Sequence, residues 1–224
     1  MNVTKIIGAV ALVLVGAAAY WQFAGPSTAQ TATVETSSES EANVMPDNEF
    51  GITEMSIGNP DAAVTVIEYA SFTCPHCARF HANQFKELKA DYIDAGKINF
   101  IYRDVFFDRP GLWASLVARC GGRDRFFGIS DMIYAEQSEW LAADDAVGIS
   151  NNLRRIGKVA GLSDAELETC LTDAQNAENL YAWFQANAEA DNIRSTPTLM
   201  INGEQYANMN YSELSDLIDA KLGE

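Results

Sequence analysis

The chain has 224 residues, 48% of them hydrophobic, enough apolar material for a packed core and too much for a wholly disordered chain. Thirty-one Asp plus Glu against fifteen Lys plus Arg give a net charge of −16, so no basic stripe is available for the phosphates of nucleic acid or for anionic lipid. Four cysteines are too few for a disulfide-stapled mini-fold, and their even number is what an oxidising compartment would allow.

Residues 1–24 read as a signal peptide or an N-terminal membrane anchor. Between Ile6 and Ala24 the only strongly polar side chain is Gln22, and as a helix this run would be about 28 Å long, close to the ~30 Å hydrocarbon core of a bilayer. Pro26 followed by Ser27, Thr28 and Ala29 favours cleavage, with Ala17–Ala19 as a second site. Tyr20, Trp21 and Phe23 instead suit the aromatic belt of a retained span that would tether the chain through residues 6–24. Both readings export the rest of the chain, to the periplasm or the extracytoplasmic face of a membrane. Residues 25–50 carry five acids (Glu35, Glu39, Glu41, Asp47, Glu49) and no base, the composition of a disordered linker.

The folded part is expected over residues 51–224. Ala63 to Ser71 is β-branched and aromatic, apolar on both faces like a central strand, and comes after the turn signal Gly58-Asn59-Pro60-Asp61. Phe80, Phe85, Leu88 and Tyr92 recur at helical spacing from Ala78 to Ala95, and Gly96 stops that helix. Ile98 to Tyr102 is a second strand, which completes a βαβ unit. Residues 104–192 contain no convincing strand; helices are expected at Gly111–Cys120, Arg125–Glu136, Asp144–Ala160, Ser163–Thr172 and Asp173–Ala190, with a Ser163/Glu166 capping box. Two short strands then flank Asn202-Gly203 as a tight hairpin, and an amphipathic helix from Asn210 buries Leu214, Leu217, Ile218 and Leu222.

Chemistry concentrates at Cys74-Pro75-His76-Cys77, where the first strand turns into a helix. At a helix N-terminus Cys74 would face unpaired N–H groups and the positive end of the helix dipole, which favour a thiolate. Cys77, one turn inside, would be the buried resolving thiol. Haem attachment fails because Ala78 stands where a His is required. A metal is disfavoured by the cramped spacing of Cys74, His76, Cys77 and His81, and a purely structural bridge so short would restrain little of the unfolded chain.

The stretch Glu68-Tyr69-Ala70-Ser71-Phe72-Thr73-Cys74-Pro75-His76-Cys77 resembles the active site of DsbA-like thiol:disulfide oxidoreductases of the thioredoxin superfamily, over about Met55 to Leu222. The resemblance implies an α/β thioredoxin fold with a helical insertion at about residues 105–192 between the βαβ and ββα halves. It implies that Thr196 and Pro197 form the loop whose cis-proline lies against the cysteine pair, Thr196 binding the substrate backbone like an added strand. It gives Glu68, which shares the parity of Val64 and Val66, the role of moving the proton of Cys77; the alternative is a strand-end carboxylate that reaches water. No cofactor is implied.

His76 is expected to stabilise the Cys74 thiolate, whereas His81 is expected on the helix surface. In an exported protein Cys120 and Cys170, fifty positions apart, should pair as a structural disulfide; a second redox pair is the alternative. Phe106, Phe107, Trp113, Phe126, Phe127, Tyr134 and Trp140 should be mostly core, with one or two lining an apolar groove for clients. The expected reaction is oxidation of reduced, unfolded exported proteins, with recycling by a DsbB-type, quinone-linked membrane partner. A reductase or isomerase of the same fold is one alternative, and a non-catalytic chaperone another.

Overall fold

A computed structural model describes residues 48–223. The expected signal or anchor, and the linker up to residue 47, lie outside the described residues. Among the described residues no helix is long and apolar enough to cross a membrane.

Five strands form one sheet in the order β1-β3-β2-β4-β5. These are β1 (Met55–Gly58), β2 (Val64–Ala70), β3 (Ile98–Asp104), β4 (Thr198–Ile201) and β5 (Glu204–Ala207). Only β2 and β3 run parallel, joined by the helical crossover that the sequence marks; β1 pairs with β3, β4 with β2 and β5 with β4, all antiparallel. The edge strand β1 escapes a reading by pattern because it is four residues long. It ends on Gly58 at φ +104°, where a Cβ would stand 2.4 Å from the Ile98 carbonyl oxygen, so only glycine fits. At the β4–β5 turn Asn202 and Gly203 both take positive φ, as a two-residue turn of the I′ kind requires. The Asn202 side chain also accepts from the Thr65 N–H at 2.8 Å and donates to the Ala63 carbonyl, which fastens the hairpin to the start of β2.

The crossover is not one helix. It begins at Pro75, earlier than the apolar spacing suggests, as α1 (Pro75–Ala82), breaks at Asn83, and continues as α2 (Gln84–Leu88) and a π-helical turn over Lys89–Ile93. Asn83 has φ −118° and ψ −84° and donates its side-chain amide to the Arg79 carbonyl, a local bond that competes with the helical ladder.

The insertion is helical throughout: α3 (Arg109–Cys120), α4 (Gly122–Ala135), α5 (Gln137–Trp140), α6 (Ala146–Val159), α7 (Asp164–Thr172) and α8 (Ala174–Ala190). Asp108, Asp145, Ser163 and Asp173 cap α3, α6, α7 and α8 with their side chains. The Ser163/Glu166 capping box forms, and a second, Asn210/Glu213, opens α9 (Tyr211–Leu222). One face of the sheet, with Val64, Val66, Phe100, Tyr102, Leu199 and Ile201, packs against α1, α2, α4 and α9. On the other face Tyr69, Val105 and Met200 meet Phe184 of α8. Most of the insertion's aromatics are core or half-buried, while Phe107 is 61% exposed. Cys120, at the end of α3, is joined to Cys170 in α7 with their Cα atoms 5.8 Å apart.

Candidate active site

The cysteine loop sits where β2 gives way to α1. Cys74 is the N-cap residue, its own N–H bonded to Ser71 O and its carbonyl accepting from Ala78 N–H. Pro75 fills the first helical position, where a missing N–H costs nothing. Cys74 is 8% exposed and Cys77 fully buried, and the two are not joined in a disulfide here.

The two sulfurs are driven in opposite directions. The Cys74 thiol falls from 9.0 to about 5, chiefly because the Cys77 thiol donates to its thiolate, against a counteracting effect of burial; the Thr196 side chain and the N–H groups of Cys77 and His76 add to the lowering. Burial is the main cause that pushes Cys77 far up, and the Cys74 sulfur and the Glu68 carboxylate push the same way. At neutral pH the pair is therefore one thiolate and one thiol, with the thiolate nearer the surface.

The loop containing Thr196 and Pro197 closes over this pair. The Thr196–Pro197 peptide is cis, and the Thr196 carbonyl lies 3.5 Å from Cys74 Sγ as an acceptor. The Thr196 hydroxyl is buried and bonded to no acceptor while Cys74 is a thiol, so it is free to donate once the thiolate forms. His76 stands exposed at the rim with Nδ1 2.7 Å from an Arg79 guanidinium nitrogen. Its backbone N–H is among the groups that support the Cys74 thiolate.

Glu68 faces the interior, wholly buried, and does not reach water. Its partner is His81, with Nε2 2.8 Å from Oε2. The expectation of a surface histidine is thus incorrect: His81 is only 2% exposed. α4 covers that face of α1, and Tyr134 stacks on the imidazole with ring centroids 4.2 Å apart while Phe85 lies 4.6 Å away. An acid on an apolar strand signals that a buried partner is needed; which residue supplies it depends on a helix fifty positions downstream.

Gln137 carries no signal in the sequence. Buried at the start of α5, its amide donates to the carbonyls of Phe72 at 2.8 Å and of Cys74 at 3.0 Å, which ties the insertion to the cysteine loop. Among the described residues no cluster of His, Cys, Asp and Glu is arranged to hold a metal. What the site can do chemically is exchange disulfides, with a preformed nucleophile just below the surface and a protonated resolving thiol behind it.

A family model described as thioredoxin matches residues 51–220, well over half of the chain. The chain belongs to the thioredoxin family. Within that superfamily it is DsbA-like. A Rickettsia bellii relative named "Putative protein-disulfide oxidoreductase" is 35% identical over 176 residues, covering 76% of this chain and 65% of that protein. The chain thus spans just under two thirds of that relative's length. The "Disulfide bond formation protein D" of Bacillus subtilis is 23% identical, covering 74% of this chain and 76% of its own. Among solved structures, Wolbachia pipientis alpha-DsbA1 superposes with a TM-score of 0.70 at 25% identity, covering 76% of this chain and 91% of that one. The thioredoxin fold with a helical insertion, expected from the sequence, is the fold observed.

Proposed function

We propose that this DsbA-like chain is an exported thiol:disulfide oxidoreductase that introduces disulfides into folding proteins through the Cys74/Cys77 pair. One observation carries the reading: Cys74 is held near pKa 5 while Cys77 is buried and pushed far above its ordinary value. A stabilised thiolate favours the reduced state of the pair, which makes the disulfide an oxidant, and a low-pKa sulfur is the better leaving group.

In the oxidised protein a client thiolate attacks Cys74 Sγ, the Cys74–Cys77 bond breaks, and Cys77 takes up a proton. A second client thiolate attacks the client sulfur of the mixed disulfide and Cys74 leaves as thiolate. The client gains a disulfide, and Cys74 and Cys77 remain as the reduced pair. Thr196 offers the client backbone an edge beside Cys74, Pro197 shapes that loop, His76 supports the Cys74 thiolate from the rim, and Glu68 handles the proton of Cys77. The Cys120–Cys170 bridge is a structural staple. Recycling requires an electron acceptor, for which a quinone-linked membrane oxidase of the DsbB type is the natural partner at an extracytoplasmic location.

The decisive measurement is the reduction potential of the Cys74/Cys77 pair in a glutathione buffer. A value in the region of roughly −120 to −180 mV supports an oxidant or isomerase, and one near about −270 mV means a reductase instead. Client-binding activity that survives Cys74→Ala would favour a non-catalytic chaperone.

A further inference from the structure

The proton that Cys77 gains or loses in each turnover has to reach a wholly buried sulfur. The Glu68 carboxylate is wholly buried and has Oε1 without a partner; its other oxygen meets His81 Nε2. The opposite ring nitrogen, Nδ1, is also buried and makes no hydrogen bond. It lies 3.8 Å from Oδ1 of Asp131, a side chain that is half exposed. His81 and Asp131 both line a pocket of about 510 Å³ between α1 and α4 that is open to solvent. The 3.8 Å gap is too narrow for a water to stand in it, but a small swing of the half-exposed Asp131 side chain brings its carboxylate, or a water bound to it, within hydrogen-bond reach of Nδ1.

We propose that His81 and Asp131 complete a proton path from Cys77, through Glu68, to solvent in this pocket. The proposal rests on the thiol:disulfide exchange argued above and extends it to the route and its two further residues. In the disulfide state the ring that enters the path is neutral, with its proton on Nε2; an imidazolium first sheds its Nδ1 proton to water beside Asp131. When a client thiolate bonds to Cys74, the electron pair of the broken Cys74–Cys77 bond stays on Cys77. His81 Nε2 gives its proton to Glu68, Glu68 passes one to the Cys77 thiolate, and Nδ1 takes one from water at Asp131. Reoxidation runs the transfers in reverse and returns the ring to its first tautomer, so the cycle closes with no net change in the path.

The charged and titratable groups facing the imidazole are consistent with a conduit. Glu68 comes from β2, Tyr102 from β3, Asp131 and Tyr134 from α4, and Arg79 and Lys86 sit at the pocket mouth. The Tyr102 and Tyr134 hydroxyls bond to each other at 2.7 Å, and burial pushes both phenols up, which leaves the carboxylates as the groups that exchange protons with the ring. His81 itself is raised to about 9: burial opposes its charge, but the Glu68 carboxylate outweighs it with help from Asp131.

The test is a rapid-quench study of the full chain as dithiol, oxidised by glutathione disulfide from pH 6 to 10. The first step, glutathione joined to Cys74, is separated by mass from the second, its release by Cys77. His81→Gln, which keeps a hydrogen-bond donor near Glu68, should leave the first step unchanged and slow the second by roughly tenfold at pH 7, less than the ~10²–10⁴ of a group that itself meets the reacting atom, because Glu68 remains. Asp131→Asn should slow only the second step, by about threefold, and both deficits should shrink toward pH 10 as hydroxide takes over. Release rates equal to wild type in both variants would overturn the path. If His81→Gln does not fold, Asp131→Asn decides alone, since its side chain is at the surface. A wild-type chain that forms no mixed disulfide at all defeats the underlying exchange reading, and that failure is visible in the first step.

Discussion

Thr196→Val replaces a hydroxyl with a methyl of the same shape beside Cys74 and removes a donor to the thiolate without opening a cavity. A hydrogen bond to a charged group is worth about 1.5–3 kcal/mol, and one pKa unit is about 1.4 kcal/mol, so Cys74 should rise from about 5 to about 6–7. A thiolate with a depressed pKa stabilises the folded, reduced protein fully above the ordinary thiol value of 9.0, and the benefit is lost as pH falls through about 5. At pH 7, two units above the folded value, the wild-type gain is at most about 2.7 kcal/mol, equivalent to about 60 mV for a two-electron couple. The variant should forfeit about 30–50 mV of it and become a weaker oxidant. Thiolate absorbance at 240 nm against pH gives the pKa, and equilibration with glutathione gives the potential. A variant whose Cys74 titrates as in the wild type, or whose potential rises, would refute the assignment of a thiolate donor to Thr196.

Cys120→Ser with Cys170→Ser frees a loop of about fifty residues and should cost about 4 kcal/mol in the chain-entropy picture, read as a lower urea midpoint with the Cys74 titration unchanged. Gln137→Leu strands two buried carbonyls; a loss of about 1–3 kcal/mol, together with faster amide exchange across residues 72–75, is expected by denaturation and hydrogen exchange. Arg119→Ala leaves Asp104 buried without the guanidinium that now bonds it at 2.6 and 2.9 Å and should cost about 3–5 kcal/mol. Asp104→Asn in the same background should recover part of that loss, and thermal melts of the two variants make the comparison.

Features encoded within a dozen residues could be read from the sequence alone. The strand β2, the cysteine loop, the Asn202-Gly203 hairpin and the Ser163/Glu166 capping box announce themselves because each is decided by local backbone chemistry. The helical insertion was legible for the same reason, through its 3.6-residue periodicity and its caps. Residues that matter through distant partners were not. Glu68 was conspicuous on an apolar strand, but that His81 answers it depends on α4 lying over α1. Gln137 looks like any polar residue in a helical stretch until α5 docks beside Phe72. The break at Asn83 hid inside a continuous apolar pattern, since Phe80 and Phe85 stay buried on either side of it.

The amide of Gln137 has a consequence for how the protein matures. The carbonyls of Phe72 and Cys74 are satisfied by a residue 65 and 63 positions further along, and a ribosome adds that much chain in several seconds. Throughout that interval the βαβ half exists with its cysteine loop unsecured. Full definition of the reactive loop therefore waits for the insertion, so that the chain does not complete its own redox centre until most of its sequence has been made.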